Sequence, residues 1–356
     1  MRINRRAASL LAAVAVLLAP AMTSACPSAA ATTAAFTTTL GTPKIVPIPT
    51  NPVEWRANDS TFPYLRNSQG TANITFWVDG VNFRSTGQSL DTMGPINPTT
   101  SVLSGGAEGT WDGNGVWLMA AQRAPGNPTG RIYGFYHAED HVFEGGGWGE
   151  WNSTGLATSD DDGVTWSKKG RIIGSPQPYQ GSTGDTGKFG GVEANSVIYD
   201  EKNKRWLAIG HGSGFVSTDP NAAPGTWKGW DGDGFDTPMP STTSPNLKPL
   251  NGLTDQMANS NITWNTYLNR FVMVWRHFGD YKNIRITTSA DGVNWDESTV
   301  LFTAPDGTGI DYPQIIGVSS SRSGQHATLV YEKTPSTTGR YRDMIMRPIH
   351  FNLTAQ

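Results

Sequence analysis

Cysteine and charge are both scarce in this chain. It has one cysteine, Cys26, among 356 residues. A single thiol excludes an internal disulfide, so the mature protein must rely on a hydrophobic core, which a domain of this length can build. Charged residues make up only 16% of the chain and the formal net charge is -3, so nothing favours nucleic acid as a partner. No long segment has a convincing helical period, which argues against helical fold classes.

Glycine and aromatic residues are abundant instead, with 41 Gly, 13 Trp and 10 Tyr. Many turn residues and aromatics beside few helix formers are typical of an all-β extracellular protein. Aromatic side chains exposed among polar groups also suit sugar binding, although most of the Trp side chains are expected to pack between sheets.

The N-terminus has the pattern of a secretory signal peptide. Three arginines flank an apolar run over residues 7–22, which is too short and too rich in Ala to be a good membrane span. Small residues before Cys26 suit cleavage there. The pattern predicts a signal peptide over residues 1–25, a flexible leader over 26–39 and a secreted protein. The alternative is a lipid anchor on Cys26 at the cell surface.

One phrase is used three times. It reads Ser-Asp-Asp-Asp-Gly-Val-Thr-Trp over residues 159–166, and looser copies occupy 217–227 and 289–295. A hydroxyl or carboxylate at the head of a turn accepts backbone N–H bonds, Gly adopts an angle that other residues resist, and Trp packs the hairpin tip onto its sheet. We interpret the phrase as a structural hairpin without a catalytic role.

Units of strand, polar turn, Arg and strand repeat around these phrases. The units occupy residues 40–100, 101–180, 186–247, 250–303 and 305–352. At about 40 residues per blade plus loops, the length fits five blades better than six. The sequence therefore predicts an all-β, five-bladed β-propeller that forms one catalytic domain over residues 40–356.

The acids at the heads of these units are the catalytic candidates. Cleavage of a glycosidic bond needs two carboxyl groups, one to protonate the leaving oxygen and one to activate water or attack. In a propeller, such groups come from inner strands that converge on the axis. The candidates are Glu193, Asp255, Asp311 and Glu139.

The substrate-binding candidates lie at strand ends and in one connection. They are His137, His211, Arg276 and Trp148. Histidine can bind sugar hydroxyls and titrates near neutral pH. The histidines have no recognised spacing of metal ligands, so no metal site is predicted among them.

No cofactor is expected to be required. A structural calcium ion is the one possibility considered, at the alternating Asp231, Asp233 and Asp236, which lack the spacing of an EF-hand. The predicted partner is a carbohydrate, and neither nucleic acid nor a membrane is expected unless Cys26 carries a lipid. The protein is predicted to be a monomer.

The repeated phrase resembles the Asp-box of sialidases and related propellers, Ser-x-Asp-x-Gly-x-Thr-Trp. The whole mature chain resembles the five-bladed propeller glycoside hydrolases of the arabinanase and β-xylosidase type, whose actinobacterial relatives include endo-D-arabinanases. This resemblance implies a glycosidase with a general acid at Glu193, in the third blade, and an Asp base in the first blade. Asn67 stands near the expected position of that base, and Asp79 and Asp91 are nearby substitutes.

A general acid has to be protonated near the working pH. The pKa of Glu193 is therefore expected to be raised by burial or by neighbouring carboxylates, among which Asp255 is the nearest candidate. The main hypothesis is a secreted hydrolase that acts on extracellular polysaccharide or oligosaccharide in the central cleft.

Two alternatives remain open. A sialidase-like exo-glycosidase needs three arginines, which Arg66, Arg276 and Arg340 can supply, but the mature chain has no Arg-Ile-Pro motif. A non-catalytic carbohydrate-binding propeller is favoured by the missing Asp in the first blade. It is disfavoured by the unequal blades, because repeat lectins usually keep a similar site in each blade.

Overall fold

Strands make up nearly all regular structure in the computed structural model, which describes residues 36–47, 59–78, 80–95, 100–142, 149–176, 188–243, 245–335 and 342–354. Within these ranges, the helical structure is limited to one 3-10 turn, Leu90–Thr92. No helix of the described ranges is long and apolar enough to cross a membrane. The predicted signal peptide, residues 1–25, lies outside them.

The strands are numbered in chain order. They are β1 (Phe36–Leu40), β2 (Lys44–Ile45), β3 (Tyr64–Arg66), β4 (Asn73–Val78), β5 (Asn82–Gly87), β6 (Gly115–Arg123), β7 (Ile132–Val142), β8 (Gly149–Ser159), β9 (Ser167–Ile173), β10 (Lys188–Gly191), β11 (Ser196–Asp200), β12 (Arg205–Gly210), β13 (Ser213–Ser217), β14 (Trp227–Trp230), β15 (Phe235–Met239), β16 (Met257–Asn265), β17 (Arg270–His277), β18 (Asn283–Ser289), β19 (Thr299–Thr303), β20 (Gly309–Ile316), β21 (Arg322–Ser323), β22 (His326–Thr334) and β23 (Asp343–Leu353).

These strands form five sheets, one for each blade. Blade one is β3-β4-β5, and blade two has the order β10-β8-β7-β6 with β9 on β8. Blade three is β11-β12-β13-β14-β15, and blade four is β19-β18-β17-β16-β21. Blade five is β1-β23-β22-β20 with β2 on β23. The predicted all-β, five-bladed β-propeller is confirmed.

The ring closes by joining the first strand to the last. β1 runs antiparallel to β23 from the pair Phe36–Leu353 to the pair Leu40–Ile349. The expected boundary between leader and propeller at residue 40 therefore falls inside a strand, and residues 36–39 belong to blade five. The sequence of this segment, with its three consecutive Thr residues, contains no sign of its distant partner.

The inner strands of the blades are β3, β6, β11, β16 and β20, and they pack side by side around the axis. The Gln314 side chain of blade five joins this blade to the segment that precedes β3 of blade one. Its Nε2 donates to the Phe62 carbonyl at 2.6 Å, and its Oε1 accepts the Phe62 N–H at 3.1 Å. This exchange satisfies buried backbone groups that no neighbouring strand can reach.

An apolar cluster fills each interface between neighbouring blades. Between blades two and three, the Phe135 ring lies 5.1 Å from the fully buried Trp206, centroid to centroid. Blades stack face to face, so both faces of a middle strand are covered, and all six positions of β4 are buried. This is why the strands read as continuous apolar runs rather than as an alternation of polar and apolar residues.

The phrase at residues 159–166 forms the hairpin between β8 and β9. Ser159 Oγ accepts the N–H of Gly163 at 2.8 Å, and Asp161 Oδ1 accepts the N–H of Thr165 at 2.9 Å. Trp166 Nε1 donates to the Gly163 carbonyl at 3.2 Å, and Gly163 has a φ of 78°. The third copy makes the corresponding bonds. No residue of these described hairpins lines the central cavity.

Candidate active site

A cavity of about 470 Å³ lies at the centre of the propeller and is lined by residues of all five blades. Each inner strand, or the chain just before it, contributes at least one side chain. In blade order these include Thr61, Met119, Asn195, Asn259 and Asp311. In propellers, the functional site usually lies where the ends of the inner strands converge on the central cavity.

Irregular backbone shapes the cavity wall. β16 has a bulge between Ala258 and Asn261, and β20 has one between Asp311 and Gln314. The bulged residues Asn259 and Tyr312 have φ values of 49° and 46°, which side chains other than Gly rarely adopt. Bulges re-aim side chains, and backbone strain of this kind clusters at functional sites.

Five side chains form an alternating chain of hydrogen bonds along one wall, which we name the His–Glu chain: His211, Glu193, His137, Glu139 and His141. Nε2 of His211 lies 3.1 Å from Glu193 Oε1, and Nδ1 of His137 bonds to Glu193 Oε2. Nε2 of His137 lies 3.0 Å from Glu139 Oε1, and Nε2 of His141 lies 2.5 Å from Glu139 Oε2. Residues 137, 139 and 141 share one face of β7 because side chains alternate along a strand.

The protonation of this chain follows from its partners. Nδ1 of His211 lies 3.0 Å from the Met257 carbonyl, which can only accept, so Nδ1 carries a proton. Burial opposes the charge of Glu193, but His137 and His211 outweigh it and hold the pKa of Glu193 well below its usual range. Burial also disfavours the charged imidazoles, yet Glu193 raises the pKa of both His137 and His211. The expectation of a raised pKa for Glu193 is wrong, because its neighbours are histidines rather than carboxylates.

We expect the ion pair of Glu193 and His211 to limit the stability of the propeller at both ends of the pH scale. The folded pKa of Glu193 is lowered, so its contribution is lost as the pH falls through that value. The folded pKa of His211 is raised from 6.5. Its contribution is therefore complete below 6.5 and is lost as the pH rises through the folded value. Thermal unfolding of the wild type and of His211→Gln as a function of pH measures this. An equal alkaline decline of Tm in both proteins would contradict the expectation.

A second group of side chains, which we name the Arg–carboxylate cluster, lies on the walls from blades one, four and five. In its first part, Arg276 binds Asp311 with two bonds, Nε to Oδ1 at 2.8 Å and Nη2 to Oδ2 at 3.1 Å. Asn259 Nδ2 donates to the same carboxylate at 2.6 Å. The Arg276 guanidinium also lies 4.1 Å from the centroid of the Tyr281 ring. These contacts hold the Asp311 side chain in one orientation.

In its second part, Arg342 lies between Asp59 and Glu332. Its Nη1 contacts Asp59 Oδ1 and donates to Glu332 Oε2 at 2.9 Å. The Asp59 side chain is 39% exposed, against 2% for Glu332 and 12% for Asp311. Asp59 is therefore the carboxylate of this cluster that water and a substrate can reach.

Glu150, on β8, completes the set of acids that line the cavity near the His–Glu chain. Asn152 Nδ2 donates to its Oε1 at 3.2 Å. Burial, with the nearby charge of Glu139, raises the pKa of Glu150 to about 7. Ligand atoms of Glu139, His141 and Glu150 all lie within 4.8 Å of one another, so these three residues can hold a metal ion.

The structure brings most of the predicted site residues together. Those that line the cavity are Glu193, Asp311, Glu139, His137, His211 and Arg276. Asp255 does not join them: it is exposed in the turn before β16 and contacts Thr254 and Gln256. The residue of β16 that meets Asp311 is Asn259. Trp148 lies outside the described residues.

Sequence reasoning missed Asp59, Glu150, Glu332 and Arg342. Glu150 lies on β8, and its only signal in the sequence is the Gly- and Trp-rich composition of residues 144–151. Asp59 precedes β3, whereas the base was expected after this strand, near Asn67. Of the proposed substitutes, Asp91 lies at the 3-10 turn with Lys44 3.9 Å away, and Asp79 lies outside the described residues.

The arginine triad of the sialidase alternative is not assembled here. Arg66 is exposed and does not line the cavity, and Arg276 is bound by Asp311. Arg340 lies outside the described residues. At the two described positions, Arg66 and Arg276, the cavity therefore offers no free guanidinium group that would bind a substrate carboxylate.

The residues considered for calcium form a local turn. Asp231 Oδ1 accepts the N–H of Asp233 at 3.1 Å and of Gly234 at 3.0 Å. The carboxylate thereby stabilises its own loop, as in an Asx turn. A calcium ion at this loop stays a prediction.

No family model and no curated protein matches the chain, but solved structures do. An exo-β-1,3-galactanase from Phanerochaete chrysosporium has a TM-score of 0.52 at 11% identity, over 86% of this chain and 64% of the galactanase chain. This chain therefore spans less than two thirds of the length of that enzyme. A family 117 glycoside hydrolase from Zobellia galactanivorans has a TM-score of 0.51 at 11% identity, over 90% of each chain. A protein of unknown function from Dyadobacter fermentans has a TM-score of 0.51 at 10% identity, over 88% of this chain and 99% of that chain. At these identities the similarity shows the propeller fold alone.

Proposed function

We propose that the protein is a glycoside hydrolase that cleaves extracellular polysaccharide or oligosaccharide in the central cavity. One observation carries this proposal: two separately organised groups of carboxylates line a single cavity. The His–Glu chain comes from blades two and three, and the Arg–carboxylate cluster comes from blades one, four and five. Glycosidic bond cleavage needs two such groups around the scissile bond.

Asp59 is assigned as the general base. Asp311 and Glu332 are nearly buried and bound to arginines, so they hold these arginines in place rather than meet the substrate. Asp59 contacts Arg342 and has an exposed edge beside which a water molecule can sit. In the reaction, it takes a proton from that water as the water oxygen attacks the anomeric carbon.

The proton for the leaving oxygen is assigned to the pair of Glu193 and His211. Glu193 is ionised, so the proton of the pair resides on the imidazole. The His211 side chain is 45% exposed, whereas that of Glu193 is 6% exposed, so the imidazole is the group that meets the substrate. Its Nδ1 proton is held by the Met257 carbonyl, so the proton given to the leaving oxygen is the one on Nε2, which the imidazole shares with Glu193 before the reaction. Glu193 holds the imidazolium in place from behind and keeps it charged.

The fold and the leader support an extracellular carbohydrate as the substrate. Glycoside hydrolases are among the structural neighbours, and the N-terminal pattern predicts secretion. Secretion and a monomeric state are part of the proposal.

A screen of purified protein on arabinan, xylan, arabinogalactan and sialosides tests the proposal. We expect release of new reducing ends from a neutral polysaccharide. No release of sialic acid is expected, because Arg276 is bound by Asp311. Affinity electrophoresis on the same polymers provides the contrast. Retardation by a polymer without turnover would replace the hydrolase with a carbohydrate-binding propeller.

A further inference from the structure

Three side chains converge as a set of metal ligands: Glu139 and Glu150, which line the cavity, and His141 beside them. Their ligand atoms all lie within 4.8 Å of one another. The backbone fixes this arrangement, because His141 and Glu150 are directly opposite each other in the antiparallel pairing of β7 and β8. Glu139 lies two residues before His141 on the same face of β7.

One oxygen of each carboxylate is held from outside the set, and so is the backbone of His141. His137 bonds to Glu139 Oε1 at 3.0 Å, and Asn152 donates to Glu150 Oε1 at 3.2 Å. The backbone N–H of His141 donates to Asn114 Oδ1 at 2.7 Å. Partners of this kind orient metal ligands in known sites and leave the other oxygen of each carboxylate for the ion.

Charge favours a cation at this point. Two carboxylates at this separation on a partly buried wall repel each other, and a divalent ion between them removes the repulsion. The imidazole nitrogen favours a first-row transition metal over Mg²⁺ or Ca²⁺, which prefer oxygen ligands alone. Three protein ligands leave at least one coordination position for water or a sugar hydroxyl.

We propose that Glu139, His141 and Glu150 bind a divalent transition-metal ion on the wall of the cavity, with Zn²⁺ as the probe. The ion takes the place of the hydrogen bond between His141 Nε2 and Glu139 Oε2, since metal ligands must be deprotonated. Binding of the ion does not depend on whether the cavity hydrolyses glycosides.

Calorimetric titration of chelator-treated protein with ZnCl₂ alone tests the site. We expect one high-affinity equivalent in the wild type and an increase in Tm on binding. Affinity should fall by at least about 10–100-fold in Glu150→Gln and in His141→Gln, since loss of an outer partner already costs that much. MgCl₂ and CaCl₂ are expected to bind far more weakly.

The exposed pair of His326 and His350 supplies the matched control. Their Nδ1 atoms lie 2.8 Å apart on the surface of blade five, so they are the competing histidine site. Binding that persists in His141→Gln but disappears in His350→Gln would overturn the proposal, as would equal affinity for Ca²⁺.

A measurement on the wild type alone covers the case in which the variants fail to fold. Diethyl pyrocarbonate labels accessible imidazoles, and mass spectrometry locates the label. Zn²⁺ should protect His141, whose side chain is 27% exposed, and should leave labelling of His350 unchanged. Labelling of His141 that is insensitive to Zn²⁺ would also overturn the proposal.

Discussion

Replacing Asp59 with Asn is expected to lower kcat on the preferred polysaccharide by about 10²–10⁴-fold, the usual contribution of general acid–base catalysis. The amide keeps the shape of the side chain and can still contact Arg342, but it cannot accept a proton from water. KM should change much less, since the substitution leaves the cavity wall in place. Initial rates over a range of polymer concentrations separate the two parameters.

Asp255→Asn is the matched control for this experiment. This variant carries the same Asp-to-Asn substitution at an exposed carboxylate outside the cavity. The kcat of the Asp255→Asn variant should equal that of the wild type. Tm should be similar in both variants. An Asp59→Asn enzyme with wild-type kcat would show that the base is elsewhere.

Glu193→Gln is the second substitution with a large expected effect. Without the carboxylate, the pKa of His211 loses the partner that raises it, and the imidazole no longer carries a proton to the leaving oxygen. On a glycoside with a poor leaving group, we expect a loss of about 10²–10⁴-fold in kcat. A glycoside with an activated phenolic leaving group needs little protonation, so its loss should be much smaller. Rates of the variant on the two substrates provide the comparison.

The control for Glu193 is Glu201→Gln, which alters an exposed carboxylate paired with Lys204. Both substrates should react with it at the wild-type rate. If Glu193→Gln slowed both substrates by the same factor, Glu193 would act on the shape or the charge of the site and not on proton supply. His211→Gln should reproduce the leaving-group dependence of Glu193→Gln, because the two residues supply one proton together.

More of the fold than of the candidate site could be predicted from the sequence. Blades could be predicted because each unit carries its own signals, apolar strands, polar turns and a hairpin phrase, within one stretch of chain. The pairing of β1 with β23 could not, because it joins Phe36 to Leu353 and neither segment shows what it pairs with.

Some residues of the candidate site could also be predicted from local signals, and others could not. Glu193 and Asp311 were found because they lie at the heads of inner strands, a position that the repeats define. Asp255 occupies a similar place in the sequence, but β16 begins two residues later and its bulge brings Asn259 to the wall instead. Asp59 and Arg342 are 283 positions apart, and no local pattern connects them.

The direction of the pKa shift of Glu193 could not be predicted from the sequence either. A buried carboxyl group among acids has a raised pKa, whereas one between imidazoles has a lowered pKa. His137 and His211 reach Glu193 from β7 and from the end of β12, so the outcome depends on tertiary contacts alone.

Residues from opposite ends of the described chain meet in the candidate site. Arg342 immediately precedes β23 and contacts Asp59, which precedes the first strand of blade one. The contact that holds the assigned base therefore requires blade five, which contains the last strand, to pack against blade one. Until that packing forms, blades two to four can form from consecutive segments while the ring stays open. The wall of the cavity around Asp59 is therefore completed by the C-terminal part of the chain, and a chain truncated before Arg342 lacks the guanidinium that holds Asp59 in place.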